Sequence, residues 1–536
     1  MTVLFRHPRI WTGDAETRWA TGLLVDDAQL VAVGRQEVLR DHVGPSQVVD
    51  LPGTLVIPGL HDAHIHSASL ARGLAGLDLR AASSLHEALE MVRRRAGEGS
   101  GSEWLFGSGW NSNAWDGAGT LDRQALDAAT PDRPTALSSL DGHTMWVNSF
   151  ALRLAGITRH TPDPVGGRIE RDAAGEPTGI LRERAAVAIQ TIQEGGAGGA
   201  LEPLLRRCQE VLLSVGLTSI TDFDGEDARA AYLAMRDSGH LALRVTKSVP
   251  AAALDAAIAQ GRATGDGDDW VRVGPVKLFS DGALGQRTSH MCHDFHGAEG
   301  NRGIARLDTD QVAALTRKAL RARIAVATHA IGDQANATVL DAYAKVRSET
   351  ASALRLRIEH AQHLRPADVR RFAELGVVAS MQPAHCTSDI DLVETLLPQH
   401  DVVSYGWRSL LNTGAALALG SDAPFGPDSP VAEPSPMFAL YAAVTRRRPD
   451  GTPAGGWQPQ ERLTMVEALR GHTAGSAYAD GDERRKGSLV AGKLADFVAL
   501  DTDILDEQMM AHEPGRIHDT RALATVVGGE IRWQAG

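Results

Sequence analysis

Two histidines two residues apart, His64 and His66, stand just beyond an apolar run that stops at Pro58-Gly59. A short apolar run ended by Pro-Gly reads as a buried strand followed by a turn. On extended backbone, residues i and i+2 share a face, so both imidazoles can aim at one point past the strand end. Two imidazoles so placed suit Zn2+ or another borderline divalent ion. Alone, the pair reads equally as two loop histidines, so a metal site requires further ligands downstream. Candidates follow. Lys277 lies in Gly274-Pro275-Val276-Lys277-Leu278-Phe279-Ser280-Asp281-Gly282, and His329 ends Val326-Ala327-Thr328. His360 ends Arg357-Ile358-Glu359, and Asp422 follows Leu419-Gly420-Ser421. A single histidine near a strand end is ordinarily a satisfied polar group. Six metal-compatible residues at comparable strand positions form a pattern that chance does not readily give.

The elements that must position them follow from hydrophobic patterning. Eight buried-strand candidates are Thr54–Pro58, Leu217–Thr221, Leu243–Ser248, Val276–Phe279, Ile324–Thr328, Leu356–Glu359, Val377–Met381 and Leu417–Gly420. Amphipathic helical segments lie between most of them, for example Asp310–Ala322 and Pro366–Leu375. This alternation predicts an α/β fold, a (β/α)8 TIM-type barrel, whose chemistry gathers at the C-terminal ends of the strands. The gap between the first two strands is too long for one helix, so an insertion is expected over about residues 70–215, with strand candidates Trp104–Gly107 and Thr135–Ser139. Gly195–Gly199 reads as a loop. Short strands at both ends of the chain are too few to bury a core separately. They are expected to pair into one small β-sandwich from residues 1–54 and 485–536, with the barrel, residues 55–484, between them.

The totals narrow the function classes. Over 536 residues the chain is 43% hydrophobic and 23% charged, which is ordinary for a globular protein. A net charge of −13 without a basic cluster argues against nucleic acid as a partner. Cys208, Cys292 and Cys386 are far apart and form no disulfide framework or CxxC pair. The first ten residues lack the apolar core of a signal peptide, and no run reaches the roughly 20 apolar residues of a membrane span. A cytoplasmic setting without membrane attachment is the expectation.

With these motifs in view, the sequence resembles the metal-dependent amidohydrolase superfamily. Within it, the chain is similar to the branch of YtcJ-type hydrolases and N-substituted formamide deformylases (amidohydrolase family 3). The resemblance rests on Pro58 to His66, Val276 to Gly285, Thr328 to Asp333, Ile358 to Gln362 and Gly420 to Pro424, and on the C-terminal Gly487-Ser488-Leu489 and Gly492 to Phe497. It implies that His64 and His66 hold the more buried metal with Asp422, and that His329 and His360 hold a second. It places Lys277 where many relatives carry a carboxylated lysine bridging two metals. Free lysine is cationic and a poor ligand, whereas its carboxylated form is an anion with two oxygens. The alternative for Lys277 is a plain lysine paired to Asp281 or to substrate. One or two Zn2+ ions are implied, with Fe or Mn also compatible, and a homodimer is a superfamily expectation.

The implied reaction is hydrolysis of a C–N bond in an amide or formamide-like small molecule. A metal activates water, and Asp422 carries its proton to the leaving nitrogen. Asp141 and His143 match a substrate-facing segment of the branch, with His143 a candidate donor to the carbonyl or oxyanion. Trp110 and Trp115 could line an apolar pocket or simply pack. Arg287 and His290, just past the strand-four motif, are candidate substrate contacts. Asp222, Asp224 and His363 read as supporting or bystander residues, and His61 faces away from His64. Two alternatives stand: a deaminase on the same barrel, although no Glu follows His329 at the expected place, and a catalytically silent metal-binding regulatory protein.

Overall fold

The computed structural model describes residues 2–42, 44, 47–98, 104–112, 115, 121–140, 142, 144–164, 166–192, 201–425 and 434–536. The chain forms two compact units. One comprises Met1–Ile65, Gln209–Ala423 and Glu433–Gly536, and the other His66–Cys208 and Pro424–Ala432.

The first unit contains the expected barrel. Its strands are β1 (Leu60–Ile65), β2 (Leu217–Asp222), β3 (Arg244–Pro250), β4 (Val271–Phe279), β5 (Val326–Ala330), β6 (Leu356–His360), β7 (Val377–Met381) and β8 (Leu417–Leu419). Each neighbouring pair from β1 through β8 is parallel. The ring is nearly closed. Between β8 and β1 the ladder gives way to two bonds: Asp422 N–H donates to the His64 carbonyl at 2.7 Å, and Ser421 N–H donates to Asp62 Oδ1 at 2.9 Å. Crossover helices cover the outside. The helix Thr309–Arg321 starts at an Asp308–Gln311 capping box, in which each side chain satisfies a backbone N–H that the first turn would leave orphaned. The helix Val369–Leu375 ends at Gly376, whose φ of 61° is the left-handed conformation glycine adopts without a Cβ penalty.

Both chain ends build a second large sheet of this unit. Its order runs Glu530–Gln534, Ala522–Val527, Phe497–Leu500, Leu55–Pro58, Val3–Trp11, Trp19–Asp26 and Gln29–Gly34, with Val48–Asp50 also on Val3–Trp11. Inward side chains from both ends, among them Phe5, Leu23, Val56, Phe497 and Val526, share one apolar core. The rings of Phe5 and Phe497 meet edge to face at 5.1 Å.

Here the first barrel strand departs from the sequence expectation. Thr54–Pro58 was expected to open the barrel, but Leu55–Pro58 pairs antiparallel with Phe497–Leu500 in the terminal sheet. The chain changes sheets at Gly59, whose N–H still reaches the Asp496 carbonyl while Leu60 already pairs with Leu217. A Cβ on Gly59 would lie 2.2 Å from Thr218 Oγ1, so the crossing demands glycine. The barrel strand is the histidine-bearing segment itself. Its polar side chains are buried with polar partners, His61 on Thr221, Asp62 on the Ser421 N–H and His64 on Glu359, which a search for apolar runs does not detect.

The second unit is a six-stranded sheet, ordered Gly167–Arg171, Pro177–Glu183, Thr144–Val147, Thr135–Ser139, Leu105–Trp110 and Leu77–Asp78. Its core includes Val92, Leu126, Leu137, Trp110 and Trp146.

Candidate metal centre

β1, β4, β5 and β6 deliver side chains to one region at the C-terminal end of the barrel, joined by the loop after β8. His64 is fully buried and stacks on Phe223 at 4.2 Å between centroids. Its Nε2 lies 3.0 Å from Lys277 Nζ and 3.4 Å from Asp422 Oδ1. The His360 ring is 4.9 Å from that of His64 and 4.6 Å from that of His329. His66 directly follows β1. The ligand atoms of His360, His385 and Asp422 lie within 4.8 Å of one another.

Two of these residues reach the site only through unusual backbone. His360 and Asp422 have φ of 74° and 62°, a left-handed conformation that costs a residue with a Cβ about 1 kcal/mol or more. On a regular strand Glu359 and His360 would face opposite ways. The turn at His360 and Ala361 lets both serve the same region.

Each of three imidazoles has one ring nitrogen committed to an oxygen acceptor. His64 Nδ1 is 2.7 Å from Glu359 Oε2, and His360 Nδ1 is 2.9 Å from Gln382 Oε1. His329 Nε2 is 3.1 Å from the Gly282 carbonyl and 3.2 Å from Asp281 Oδ1. An acceptor at one nitrogen places the proton there and leaves a lone pair on the other. The lone pairs are therefore on His64 Nε2, which meets Lys277 Nζ at 3.0 Å, on His329 Nδ1 and on His360 Nε2. Neutral imidazoles joined by a carboxylate are a donor set that fits a borderline divalent ion.

Electrostatics point the same way. Burial holds the His360 imidazole well below its ordinary pKa, and the neighbouring His329, His64 and Lys277 add to the effect, so it stays neutral and able to ligate. Burial lowers the Lys277 ammonium to about 8, against the opposing pull of Glu359 and Asp422. Its Nζ also sits 4.4 Å from the centre of the Phe223 ring. Burial raises the Asp62 carboxyl to about 6, although the N–H groups of His64 and Ser421 donate to it.

The other residues singled out in the sequence have other partners or fall outside the described residues. Asp141 and His143 fall outside the described residues, as does Gly195–Gly199. Trp110 is 5% exposed, its indole N–H donates to the Leu137 carbonyl, and it packs near Trp115 and Trp146. Arg287 is exposed on the loop after β4 with φ of 51°. On the same loop, His290 donates its backbone N–H to Asp281 Oδ2 at 2.9 Å. Asp222 is paired with Lys247 at 3.0 Å. His363 bonds Ser404 through Nδ1, and His61 bonds Thr221 through Nε2.

Sequence reasoning did not find Glu359, Arg357, Gln382 or His385. Gln382 directly follows β7, and His385 lies in the short helix Pro383–Ser388. The available signal was positional: no candidate had been assigned to the end of strand seven, where both occur.

A parallel eight-stranded barrel with imidazoles and a carboxylate converging at its C-terminal end defines a metal-dependent hydrolase. The chain belongs to the amidohydrolase family, whose model, described as "Amidohydrolase family", matches residues 47–532. Among curated relatives, it is 33% identical to Protein LONG AFTER FAR-RED 3 of Arabidopsis thaliana, over 98% of this chain and 91% of that protein. It is 30% identical to putative amidohydrolase YtcJ of Bacillus subtilis (strain 168), with 100% of both covered. It is also 30% identical to N-substituted formamide deformylase of Arthrobacter pascens, over 98% of this chain and 97% of that enzyme. Among solved structures, an uncharacterized metal-dependent hydrolase from Pyrococcus horikoshii OT3 superposes with a TM-score of 0.79 at 27% identity, over 94% of this chain and 98% of that one. The branch resemblance read from the motifs therefore holds. Among the described residues no helix is long and apolar enough to cross a membrane.

Proposed function

We propose that this chain hydrolyses a carbon–nitrogen bond, other than a peptide bond, in an amide or formamide-like small molecule. The observation that carries the reading is the convergence of His64, Lys277, His329, His360 and Asp422, with three imidazoles each fixed through one nitrogen. The formamide class draws support from the relative named N-substituted formamide deformylase.

His64, His66 and Asp422 would hold one ion, and His329 and His360 with Lys277 a second. Zn2+ is the first choice and Fe or Mn the alternatives. A divalent ion bound there supplies a Lewis acid that polarises the carbonyl and makes water a competent nucleophile near neutral pH. Asp422 accepts the proton that the attacking water loses and returns it to the nitrogen as the C–N bond breaks. Phe223 and the barrel wall exclude bulk water from the buried side. Lys277, with its ammonium lowered to about 8, has an accessible neutral amine, which carboxylation requires. His143 as oxyanion donor, Asp141, Arg287 and His290 as substrate contacts, a homodimer and a cytoplasmic setting complete the proposal. Trp110 is a weaker candidate for substrate contact because its indole N–H is already bonded.

The test is elemental analysis of the purified chain together with turnover of a panel of amides and N-substituted formamides, followed by amine release. Expected are bound metal, loss of turnover on chelation and recovery with Zn2+. Metal-loaded protein that ignores the panel but releases ammonia from aminated heterocycles would overturn the reading in favour of a deaminase.

A further inference from the structure

A line of buried charge runs from the candidate metal centre into the barrel. Glu359 is fully buried and accepts from His64 Nδ1 at 2.7 Å through Oε2. Its Oε1 accepts from Arg357 Nε at 2.8 Å. Arg357, also fully buried, lies two residues earlier on β6 and so shares the inward face. One of its terminal nitrogens donates to the Ala63 carbonyl at 2.7 Å and to Ser380 Oγ at 3.1 Å. The other reaches Asp480 Oδ1 at 3.2 Å. Asp480 in turn accepts from Thr221 at 3.0 Å and approaches His61 Nε2 at 3.4 Å. The guanidinium thus ties β1, β6 and β7 to the segment after the last barrel helix.

Two buried carboxylates flanking one buried guanidinium make an expensive arrangement for stability alone, because apolar replacements of such groups are often neutral or favourable. The arrangement cannot serve as a proton wire, since arginine does not release a proton at ordinary pH. What it can do is fix an orientation. The Arg357 fork is planar and rigid, so it holds the Glu359 carboxylate in one plane. The carboxylate in turn fixes the His64 ring with its proton on Nδ1, the lone pair of Nε2 directed at the centre, and the basicity of that nitrogen increased.

We infer that Glu359 is a positioning residue for His64, and that Arg357, anchored by Asp480, holds Glu359 to that task. The inference rests on the proposed reading that His64 ligates a metal. It goes further by assigning the carboxylate that tunes this ligand, 295 residues away in the chain.

The experiment measures Zn2+ affinity of the full chain by chelator competition, with the melting temperature of the metal-free protein alongside. Glu359→Asp keeps the charge that Arg357 needs but draws the carboxylate back from His64, and Glu359→Gln keeps the shape but removes the charge. Each should weaken Zn2+ binding about 10- to 100-fold. In a His64→Ala background the same substitutions should cause no further loss, an outcome that a purely structural role for Glu359 would not produce. If Glu359→Gln fails to fold, Glu359→Asp decides. Glu359→Asp protein that binds Zn2+ as tightly as the parent, or an undiminished loss in the His64→Ala background, overturns the inference. A parent chain that binds none of Zn2+, Fe2+ and Mn2+ overturns the proposed function instead.

Discussion

Leu55–Pro58 and Leu60–Ile65 are consecutive strands separated by one glycine, and every residue of both is buried. The first is wholly apolar and joins the terminal sheet; the second carries His61, Asp62 and His64 and opens the barrel. Burial is thus reached in two ways. Leu55, Val56 and Ile57 are inside because water is expelled from their side chains. His61, Asp62 and His64 are inside because Thr221, Ser421 and Glu359 supply the polar partners that water would otherwise provide. Strands of the first kind hold the fold together, and strands of the second kind carry the candidate ligands.

The largest effect should come from the polar side of this comparison. Asp422→Asn keeps the side-chain volume but removes the carboxylate, and turnover should fall about 10²- to 10⁴-fold with the melting temperature little changed. Steady-state rates beside calorimetry check this, and turnover near the parent level would remove Asp422 as proton carrier. The apolar strand should behave in the opposite way. Ile57, fully buried, when cut to alanine should cost about 2–5 kcal/mol of stability while the rate per folded molecule stays the same. Denaturant titration paired with active-site counting separates the two quantities.

The glycine between the strands tests the crossing itself. Gly59→Ala places a Cβ 2.2 Å from Thr218 Oγ1 and 2.5 Å from its Cγ2, an overpacking expected to cost about 1–3 kcal/mol. Adding Thr218→Ala removes these two atoms but leaves the Thr218 Cβ position at 2.8 Å, and should recover part of the loss. A double-mutant cycle with no coupling would show that the two residues do not meet.

The smallest effect concerns buried histidines outside the centre. Burial lowers His363 to about 3 and His472 to about 4. Each lies below the unfolded value of about 6.5. The unfolded chain therefore takes up protons first, and stability, complete above that pH, is lost as pH falls toward the folded values. The expected slope is roughly 1 kcal/mol per pH unit for each histidine. Urea titrations at pH 7 and pH 5 measure it, and His363→Gln should flatten the curve.

The eight-strand alternation was legible because apolar runs with helices between them leave a periodic trace. That His64, Lys277, His329, His360 and Asp422 meet was legible for a related reason, since barrel geometry sends successive strand ends to one place. Strand one was misassigned because its register depends on polar residues that a hydrophobic search skips. Trp110 could not be divided between pocket and core, since an aromatic ring carries the same local signal in both. Glu359 was passed over although it adjoins His360. Adjacency on a strand argues for opposite faces, and only the left-handed turn at His360 cancels that argument.

The sequence alone therefore determined the fold class and the chemical types of the residues at the strand ends, because these depend on local composition and periodicity, and the family through the resemblance of its motifs. The tertiary structure alone decided which ring nitrogen of each histidine carries the proton, where the chain passes between sheets, and which carboxylate bonds which histidine. Such choices depend on partners 22 to 295 residues apart, and hydrogen-bond distances between them exist only once the barrel has closed.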